Sequence, residues 1–161
     1  MLEENGEQTG GYENNMSRFL HIVVVDDNMT DLMLVEEVFA TFNDQVTIKT
    51  YQSGQAALDA MRTPKAVLPD VLLLDINMPN MSGFDVLKVM KANERLKLIP
   101  VVTLTASVLP EDLVQAYSLY ASSYLVKSVG FASFLQQVKG FLAFWKLNRL
   151  LDWPIPSSTR P

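Results

Sequence analysis

The chain has 161 residues, 48% of them hydrophobic, and carries a formal net charge of −5. This length suits one domain with short tails, and the hydrophobic fraction is ample for one buried core. The negative charge argues against general binding to nucleic acid, which requires a basic surface. Because the sequence contains no cysteine, disulfides, thiolate metal sites and cysteine nucleophiles are excluded.

The two ends of the chain differ in composition from its middle. Residues 1–18 are rich in Glu, Asn, Gly and Gln, so we predict a disordered acidic tail there. That segment does not resemble a signal peptide, and the sequence has no apolar stretch long enough to cross a bilayer. We therefore expect a cytoplasmic protein with no membrane association, a folded domain over residues 19–145 and a C-terminal extension over residues 146–161.

Between these ends, short apolar runs alternate with helical patterns. In chain order, the patterns predict strand 22–25, helix 30–40, strand 46–51, helix 55–62, strand 71–75, helix 83–92, strand 99–105, helix 111–119, strand 123–127 and helix 130–150. Ser82 and Asp85 fit a capping pair for the third helix, and Pro110 fits the first turn of the fourth. Five repeats of strand and helix predict an α/β fold. We expect a five-stranded parallel sheet of the doubly wound, flavodoxin-like type, with strand order 2-1-3-4-5.

Polar side chains that can handle a phosphoryl group stand where four of the predicted strands end. Asp26 and Asp27 follow the first strand, Asp75 ends the third, Thr105 ends the fourth and Lys127 ends the fifth. An Asp after a strand is often only a helix cap, but capping gives no reason for a threonine and a lysine at matching positions. Since parallel strands place these ends at one edge of the sheet, we expect a ligand site there.

Three carboxylates at one edge would repel one another unless a cation neutralised them. With oxygen ligands alone, the expected ion is hard, namely Mg²⁺ or Mn²⁺ in its place. One carboxylate could then attack phosphorus and carry it as an aspartyl phosphate. Lys127 would neutralise one phosphoryl oxygen and Thr105 would donate a hydrogen bond to another. The single histidine, His21, stands at the start of a strand and is expected to be structural.

These residues resemble the receiver domain of two-component response regulators. The matching motifs are Val25-Asp26-Asp27-Asn28, Leu-Leu-Asp75-Ile-Asn77-Met-Pro79-x-x-x-Gly83, Thr105-Ala106 and Tyr124-Leu-Val-Lys127. The resemblance covers residues 19–145 and implies that Asp75 accepts a phosphoryl group from a histidine kinase. It also implies that Mg²⁺ binds to Asp26, Asp27, Asp75 and the main-chain carbonyl of Asn77. It further implies a phosphoacceptor with at most slow self-dephosphorylation, not an enzyme.

The resemblance extends to a switch and to a subgroup. It implies that Thr105 and Tyr124 form a switch pair and that Lys127 binds the phosphate. The chain departs from the family at Ser128, because proline usually follows the lysine, often with a cis bond before it. A cis bond before serine would cost about 3 kcal/mol, so the loop is either trans and reshaped or cis and strained. This Lys-Ser version and the segment 138–145 resemble small regulators that serve phytochrome-type histidine kinases.

The last predicted helix has one long apolar stripe that a sheet face can bury. The stripe comprises Phe131, Phe134, Leu135, Val138, Phe141, Leu142 and Trp145. Further apolar residues lie off the stripe or beyond it: Phe144, Leu147, Leu150, Leu151 and Trp153. Exposed apolar clusters mark partner surfaces, so we expect a homodimer built on the last helix and its extension. Because the tail is short and carries few basic residues, we expect no DNA-binding output domain; the expected output is an interaction of the receiver itself with another protein, or onward relay of the phosphate.

Two other functions remain as alternatives. A Mg²⁺-dependent phosphohydrolase acting through an aspartyl phosphate also has a nucleophilic Asp after a strand, but it typically carries a second acid two residues later. Asn77 occupies that position and cannot protonate a leaving group. A flavodoxin would need a phosphate-binding loop after the first strand, where Asp26 and Asp27 would repel the phosphate.

Overall fold

Strands and helices alternate along the chain in the order that the hydrophobic patterns predict. The computed structural model describes residues 19–148 and residue 150. The strands are β1 (Leu20–Val25), β2 (Val46–Tyr51), β3 (Val71–Leu74), β4 (Val101–Thr105) and β5 (Ser123–Val126). The helices are α1 (Met29–Ala40), α2 (Gly54–Arg62), α3 (Gly83–Ala92), α4 (Pro110–Ser118) and α5 (Phe131–Lys146). A short 3₁₀ helix over Leu96–Leu98 precedes β4.

All five strands lie parallel in one sheet with the order β2-β1-β3-β4-β5, which confirms the predicted flavodoxin-like topology. The central strands are fully buried because helices cover both of their faces. In the register of the sheet, Val25 of β1 pairs with Leu74 of β3. The residues that follow these two, Asp26 and Asp75, therefore emerge side by side at the same edge.

The core is divided between the two faces of the sheet. Helices α1 and α5 cover one face, where Val35, Phe39 and Trp145 pack against buried strand residues. Helices α2 and α3 cover the other face, where Leu58 and Leu87 are fully buried. Each such side chain stabilises the fold by about 1.5–3 kcal/mol relative to an exposed one, so the sheet is a rigid base for the loops at its edge.

Side-chain caps fix where several helices begin. Asn28 accepts a hydrogen bond from the backbone N–H of Asp31 and starts α1. Ser82 and Asp85 form the predicted capping box at the start of α3. Pro110 stands in the first turn of α4, as expected. These caps hold the loops between the strands and helices in defined positions.

The last helix differs from its prediction. Helix α5 ends at Lys146 instead of residue 150, because the side-chain amide of Asn148 donates to the carbonyl of Phe144 at 2.7 Å and satisfies the helix end. Phe131 at its start is 40% exposed and does not join the buried stripe. Leu150 is partly buried against the core, so it does not form part of an exposed cluster.

Other boundaries shift by one or two residues. β1 begins at Leu20 instead of residue 22, and β4 begins at Val101 instead of residue 99, with two residues between the end of the 3₁₀ helix and the strand. The predicted N-terminal tail and the residues Leu151 and Trp153 lie outside the described part of the chain. None of the helices in the described part has the length and hydropathy needed to span a bilayer.

Candidate functional site

Three carboxylates converge at the carboxyl edge of the sheet. One oxygen each of Asp26, Asp27 and Asp75 lies within 4.8 Å of the others. Asp26 and Asp75 are buried because they follow the central strands β1 and β3, whereas Asp27 is exposed. The structure thus brings together the three acids that the sequence predicts at this edge.

The ammonium group of Lys127 lies among these carboxylates. Its Nζ is 2.5 Å from Oδ2 of Asp26, 2.9 Å from Oδ2 of Asp31 and 3.6 Å from Oδ2 of Asp75. The first two contacts are charge-assisted hydrogen bonds, whereas the third is longer than a hydrogen bond. The lysine follows β5, where its backbone N–H donates to the carbonyl of Thr105 at 2.8 Å. The pairing of β4 with β5 therefore sets the position of the ammonium.

Burial and ion pairing shift the pKa values of two of these groups. Burial raises the pKa of Asp26, although hydrogen bonds from Lys127 and from the N–H of Asn28 oppose this shift. Burial alone would lower the pKa of Lys127, but its hydrogen bonds to Asp26 and Asp31 raise the pKa overall. The lysine therefore stays charged at neutral pH and offsets part of the cost of burying the acids.

The donor set at this edge fits a hard divalent cation. All three converging ligands are carboxylate oxygens, and no histidine or cysteine joins them among the described residues. Such a set suits Mg²⁺ or Mn²⁺ better than Zn²⁺, which prefers nitrogen and sulfur. One oxygen of Asp26 accepts the N–H of Asn28 at 2.9 Å and the other accepts the ammonium of Lys127, so a cation held here would compete with these donors for the carboxylate.

Asp75 is held by the loop that follows it. Its Oδ1 accepts the backbone N–H of Asn77 at 3.3 Å. Gly83 lies directly against this backbone, because an added Cβ there would stand 2.3 Å from the carbonyl oxygen of Asp75 and 2.7 Å from Cα of Ile76. Only glycine allows this approach, so the start of α3 packs directly against the backbone of the segment that carries Asp75.

Thr105 and Tyr124 are joined through one intermediate residue, Ser107. The hydroxyl of Thr105 accepts the backbone N–H of Ser107 at 3.3 Å, and Thr105 is fully buried. The hydroxyl of Tyr124 donates to the carbonyl of Ser107 at 3.1 Å. The hydroxyl of Ser107 also donates to a carboxylate oxygen of Asp112 in α4. A change at Thr105 can thus reach both Tyr124 and α4 through this loop.

Three contacts of the site were missed by the reasoning from sequence. Asp31 is a partner of Lys127, Asn28 caps α1, and Ser107 links Thr105 to Tyr124. An acidic residue in the first turn of a helix is explained well enough by the helix dipole. In the sequence, the only feature that points to Asp31 is its position in the first turn of the helix that follows Asp26 and Asp27.

Comparison with known proteins identifies the family of this chain. The family model described as the response regulator receiver domain matches residues 22–139, which is most of the chain. The chain belongs to this receiver-domain family. Its strand order is therefore that of a receiver domain, and the resemblance of its motifs to this family is confirmed.

Individual relatives support the same placement. The receiver domain is 34% identical to the response regulator Rcp1 of a Synechocystis strain over 128 residues, which cover 77% of this chain and 87% of Rcp1. The crystal structure of the phosphorylated cyanobacterial phytochrome response regulator RcpA has 32% sequence identity and a TM-score of 0.78, covering 84% of this chain and 100% of RcpA. A Mn²⁺-bound form of Rcp1 has 32% identity and a TM-score of 0.74, covering 83% of this chain and 99% of that protein. The predicted similarity to small regulators of the phytochrome type is confirmed by these matches.

Proposed function

We propose that this receiver domain is a stand-alone response regulator. It accepts a phosphoryl group on Asp75 from a histidine kinase and signals to a protein partner by conformational change. One observation carries this proposal: at the carboxyl edge of the sheet, the buried carboxylate of Asp75 lies with those of Asp26 and Asp27 beside the ammonium of Lys127. Buried charged groups cost free energy, and clusters of them with shifted pKa values are concentrated at functional sites.

The transfer step requires little beyond position and charge. A carboxylate oxygen of Asp75 attacks the phosphorus of a phosphohistidine, an O–P bond forms and the N–P bond breaks. If the donor ring is protonated, its nitrogen leaves as neutral imidazole with the bonding electron pair, so the acceptor side needs no acid. Lys127 neutralises one phosphoryl oxygen, and the backbone N–H of Asn77, which donates to Oδ1 of Asp75 before transfer, turns to another.

The carboxylates of Asp26, Asp27 and Asp75, with the main-chain carbonyl of Asn77, would hold Mg²⁺. When bound, Mg²⁺ supplies positive charge that stabilises the phosphoryl oxygens during transfer. The existence of a Mn²⁺-bound form of the related regulator Rcp1 supports binding of a divalent ion by this receiver domain. Asp27 is the exposed member of the set and lies open to an arriving ion.

Thr105 and Tyr124 carry the signal away from Asp75. The hydroxyl of Thr105 turns toward the phosphoryl group and releases the N–H of Ser107. The loop then repacks, and the hydrogen bond from Tyr124 to the carbonyl of Ser107 breaks. Because Ser107 also contacts Asp112, the start of α4 moves with it.

The kinase partner in this proposal is of the phytochrome type, and the protein is cytoplasmic. The support for this choice is the similarity to RcpA, whose crystal structure is that of a phytochrome response regulator. A phosphorylated histidine kinase of that type is therefore the first donor to test. A donor from an unrelated kinase serves as the specificity control.

The experiment measures transfer of labelled phosphoryl groups from a phosphorylated histidine kinase domain. Wild-type protein is expected to take up one equivalent, Asp75→Asn none, and Asp59→Asn as much as the wild type. Asp59 is the matched control because it lies exposed on α2, where its side chain accepts a local hydrogen bond from Gln55. Equal labelling of wild type and Asp75→Asn would overturn the proposal.

A phosphohydrolase is the competing function, and turnover separates the two. The proposed regulator retains its phosphoryl group and releases phosphate slowly, because Asn77 stands where such an enzyme would have a leaving-group acid. We expect no multiple turnover with small phosphate esters and Mg²⁺. Steady release of many equivalents of phosphate per protein would favour the enzyme.

A homodimer through α5 is the second part of the proposal. Phe144 lies on α5 and is 60% exposed, and Leu147 directly follows the helix and is 79% exposed. Both apolar side chains therefore lie outside the buried stripe of the helix. The ring of Phe144 stacks edge-on against Trp145 with centroids 5.3 Å apart, so it is held in place on the surface. Further exposed apolar side chains lie on and beside α4 and β5: Leu109, Leu113, Val114, Tyr117 and Val126.

Light scattering tests the dimer. The wild type is expected to dimerise, and Phe144→Glu to shift the protein to the monomer. Val67→Glu is the matched control, because Val67 is 75% exposed in the loop before β3. A wild type that stays monomeric at high concentration, with and without a phosphoryl mimic, would contradict this part.

A further inference from the structure

Lys127 has a second hydrogen-bonded carboxylate partner, Asp31, which lies outside the motifs quoted in the sequence analysis. Nζ of Lys127 lies 2.9 Å from Oδ2 of Asp31 and 3.6 Å from Oδ2 of Asp75. The ammonium is therefore hydrogen-bonded to Asp31 but not to Asp75, the residue whose phosphoryl group it is expected to neutralise.

The fold fixes Asp31 in this place. Its backbone N–H donates to the side chain of the cap residue Asn28 at 3.1 Å, so the first turn of α1 is anchored. The side chain of Asp31 is 39% exposed, whereas those of Asp26 and Asp75 are nearly buried. Asp31 thus offers the lysine a carboxylate on the solvent side of the pocket.

We infer that Asp31 is a positioning residue that restrains Lys127 from Asp75 and so weakens the binding of a phosphoryl group there. The inference rests on the proposed function, because it concerns how that function is tuned. A cation held by Asp26, Asp27 and Asp75 would compete with the ammonium for Asp26. Asp31 then keeps the ammonium on its own side, and its negative charge also repels the arriving phosphoryl oxygens.

Removing this carboxylate has opposite effects on the two ligands of the site. Without Asp31, the ammonium is free to contact the phosphoryl group, so an anionic mimic binds more tightly. The same ammonium then competes more strongly for Asp26, and one attractive charge is lost, so Mg²⁺ binds more weakly. Damage to the fold would weaken both ligands together, which makes the opposite signs diagnostic.

The test titrates full-length wild type and Asp31→Asn with Mg²⁺ by calorimetry, and then with beryllofluoride by fluorine NMR at saturating Mg²⁺. Beryllofluoride is the probe because it mimics a phosphoryl group on a carboxylate. We expect Asp31→Asn to bind it about threefold or more tightly and to bind Mg²⁺ more weakly. Glu37→Gln removes an equal charge from an exposed position further along α1 and should match the wild type.

A double-mutant cycle with Lys127→Met isolates the role of the lysine. If Asp31 acts through the ammonium, most of the gain in beryllofluoride affinity disappears when Lys127 is replaced. Asp31→Ser repeats the measurement with a side chain favoured near helix starts, in case the asparagine variant folds poorly.

The possible results separate the inference from the proposed function. Unchanged or weaker beryllofluoride binding by a folded Asp31→Asn protein would overturn the inference, as would an equal gain in the Lys127→Met background. Failure of the wild type itself to bind beryllofluoride would instead count against phosphoryl acceptance at Asp75.

Discussion

Nζ of Lys127 lies 2.5 Å from Oδ2 of Asp26 but 3.6 Å from Oδ2 of Asp75. The lysine is thus bonded to an acid of the expected metal site and stands beside the expected acceptor. When a cation or a phosphoryl group binds, the ammonium of Lys127 must therefore change which of these carboxylates it contacts. The loss of that ammonium should show in stability as well as in chemistry.

Replacement of Lys127 by methionine should destabilise the metal-free protein. The change leaves Asp26 buried without its cationic partner, and breaking such a pair costs about 3–5 kcal/mol. Mg²⁺ should recover more stability in this variant than in the wild type, because no ammonium competes for the carboxylates. Denaturant unfolding with and without Mg²⁺ measures both effects.

Lys97→Met is the control for that experiment. Lys97 pairs with Glu94 at 2.8 Å on the surface, and such a pair contributes about 0–1 kcal/mol. A loss of similar size in both variants would show that the Lys127 contacts are no stronger than a surface ion pair.

Much of the site could be predicted because it depends on local patterns. The runs before Asp26, Asp75 and Thr105 are apolar and short, and parallel strands place their ends together. The capping box of Ser82 and Asp85 follows from a spacing of three residues. In each case the signal lies within a few residues of the feature.

One contact between distant residues and two local features of α5 could not be predicted. Asp31 and Lys127 are 96 residues apart, and no pattern in one segment identifies its contact in the other. Phe131 fits the apolar stripe by spacing, yet its place in the first turn of α5 leaves it 40% exposed. The end of α5 was missed because the bond from Asn148 to Phe144, not the apolar pattern, satisfies it.

Thr105→Val should separate phosphoryl acceptance from signalling. Valine fills nearly the same buried volume but lacks the hydroxyl that accepts the N–H of Ser107. We expect the variant to bind beryllofluoride, although more weakly, while the environment of Tyr124 no longer changes on binding. Fluorotyrosine NMR, with Tyr124→Phe to assign the signal, reports this change. An unaltered response of Tyr124 in the variant would exclude Thr105 as its trigger.

Gly83→Ala should displace the acceptor, whereas Gly140→Ala should not. A Cβ at Gly83 would stand 2.3 Å from the backbone oxygen of Asp75. Because this oxygen belongs to the main chain, it cannot move aside as the end of a flexible side chain could. We expect a loss of stability of about 1–3 kcal/mol from the overpacking, together with weaker beryllofluoride binding. Gly140 on α5 has no atom within 4 Å of such a Cβ, so alanine there should stabilise the helix by about 0.5–1 kcal/mol. Thermal melts and binding titrations of both variants check the contrast.

His21 should contribute a pH-dependent part of the stability. Burial lowers the pKa of His21 from its usual value of 6.5; nearby Asp70 opposes the shift and Lys49 adds to it. Its ring contacts the hydroxyl of Thr47 at 3.1 Å. Because the folded pKa lies below the unfolded one, this contribution is present above pH 6.5 and is lost as pH falls through the folded value.

The only histidine of the chain gives a single set of imidazole signals, so proton NMR can follow this titration directly. We expect its midpoint below that of the unfolded protein, and His21→Gln should remove the corresponding slope from the stability profile. A midpoint at or above that of the unfolded protein would contradict the claim that burial lowers the pKa of His21.

The most direct test of the account is the location of the phosphoryl group. After incubation with a phosphorylated histidine kinase and Mg²⁺, the acyl phosphate can be trapped by borohydride reduction and mapped by peptide mass spectrometry. The account predicts one modified residue per chain, at Asp75. Modification at another residue, or none in the presence of active donor, would contradict it.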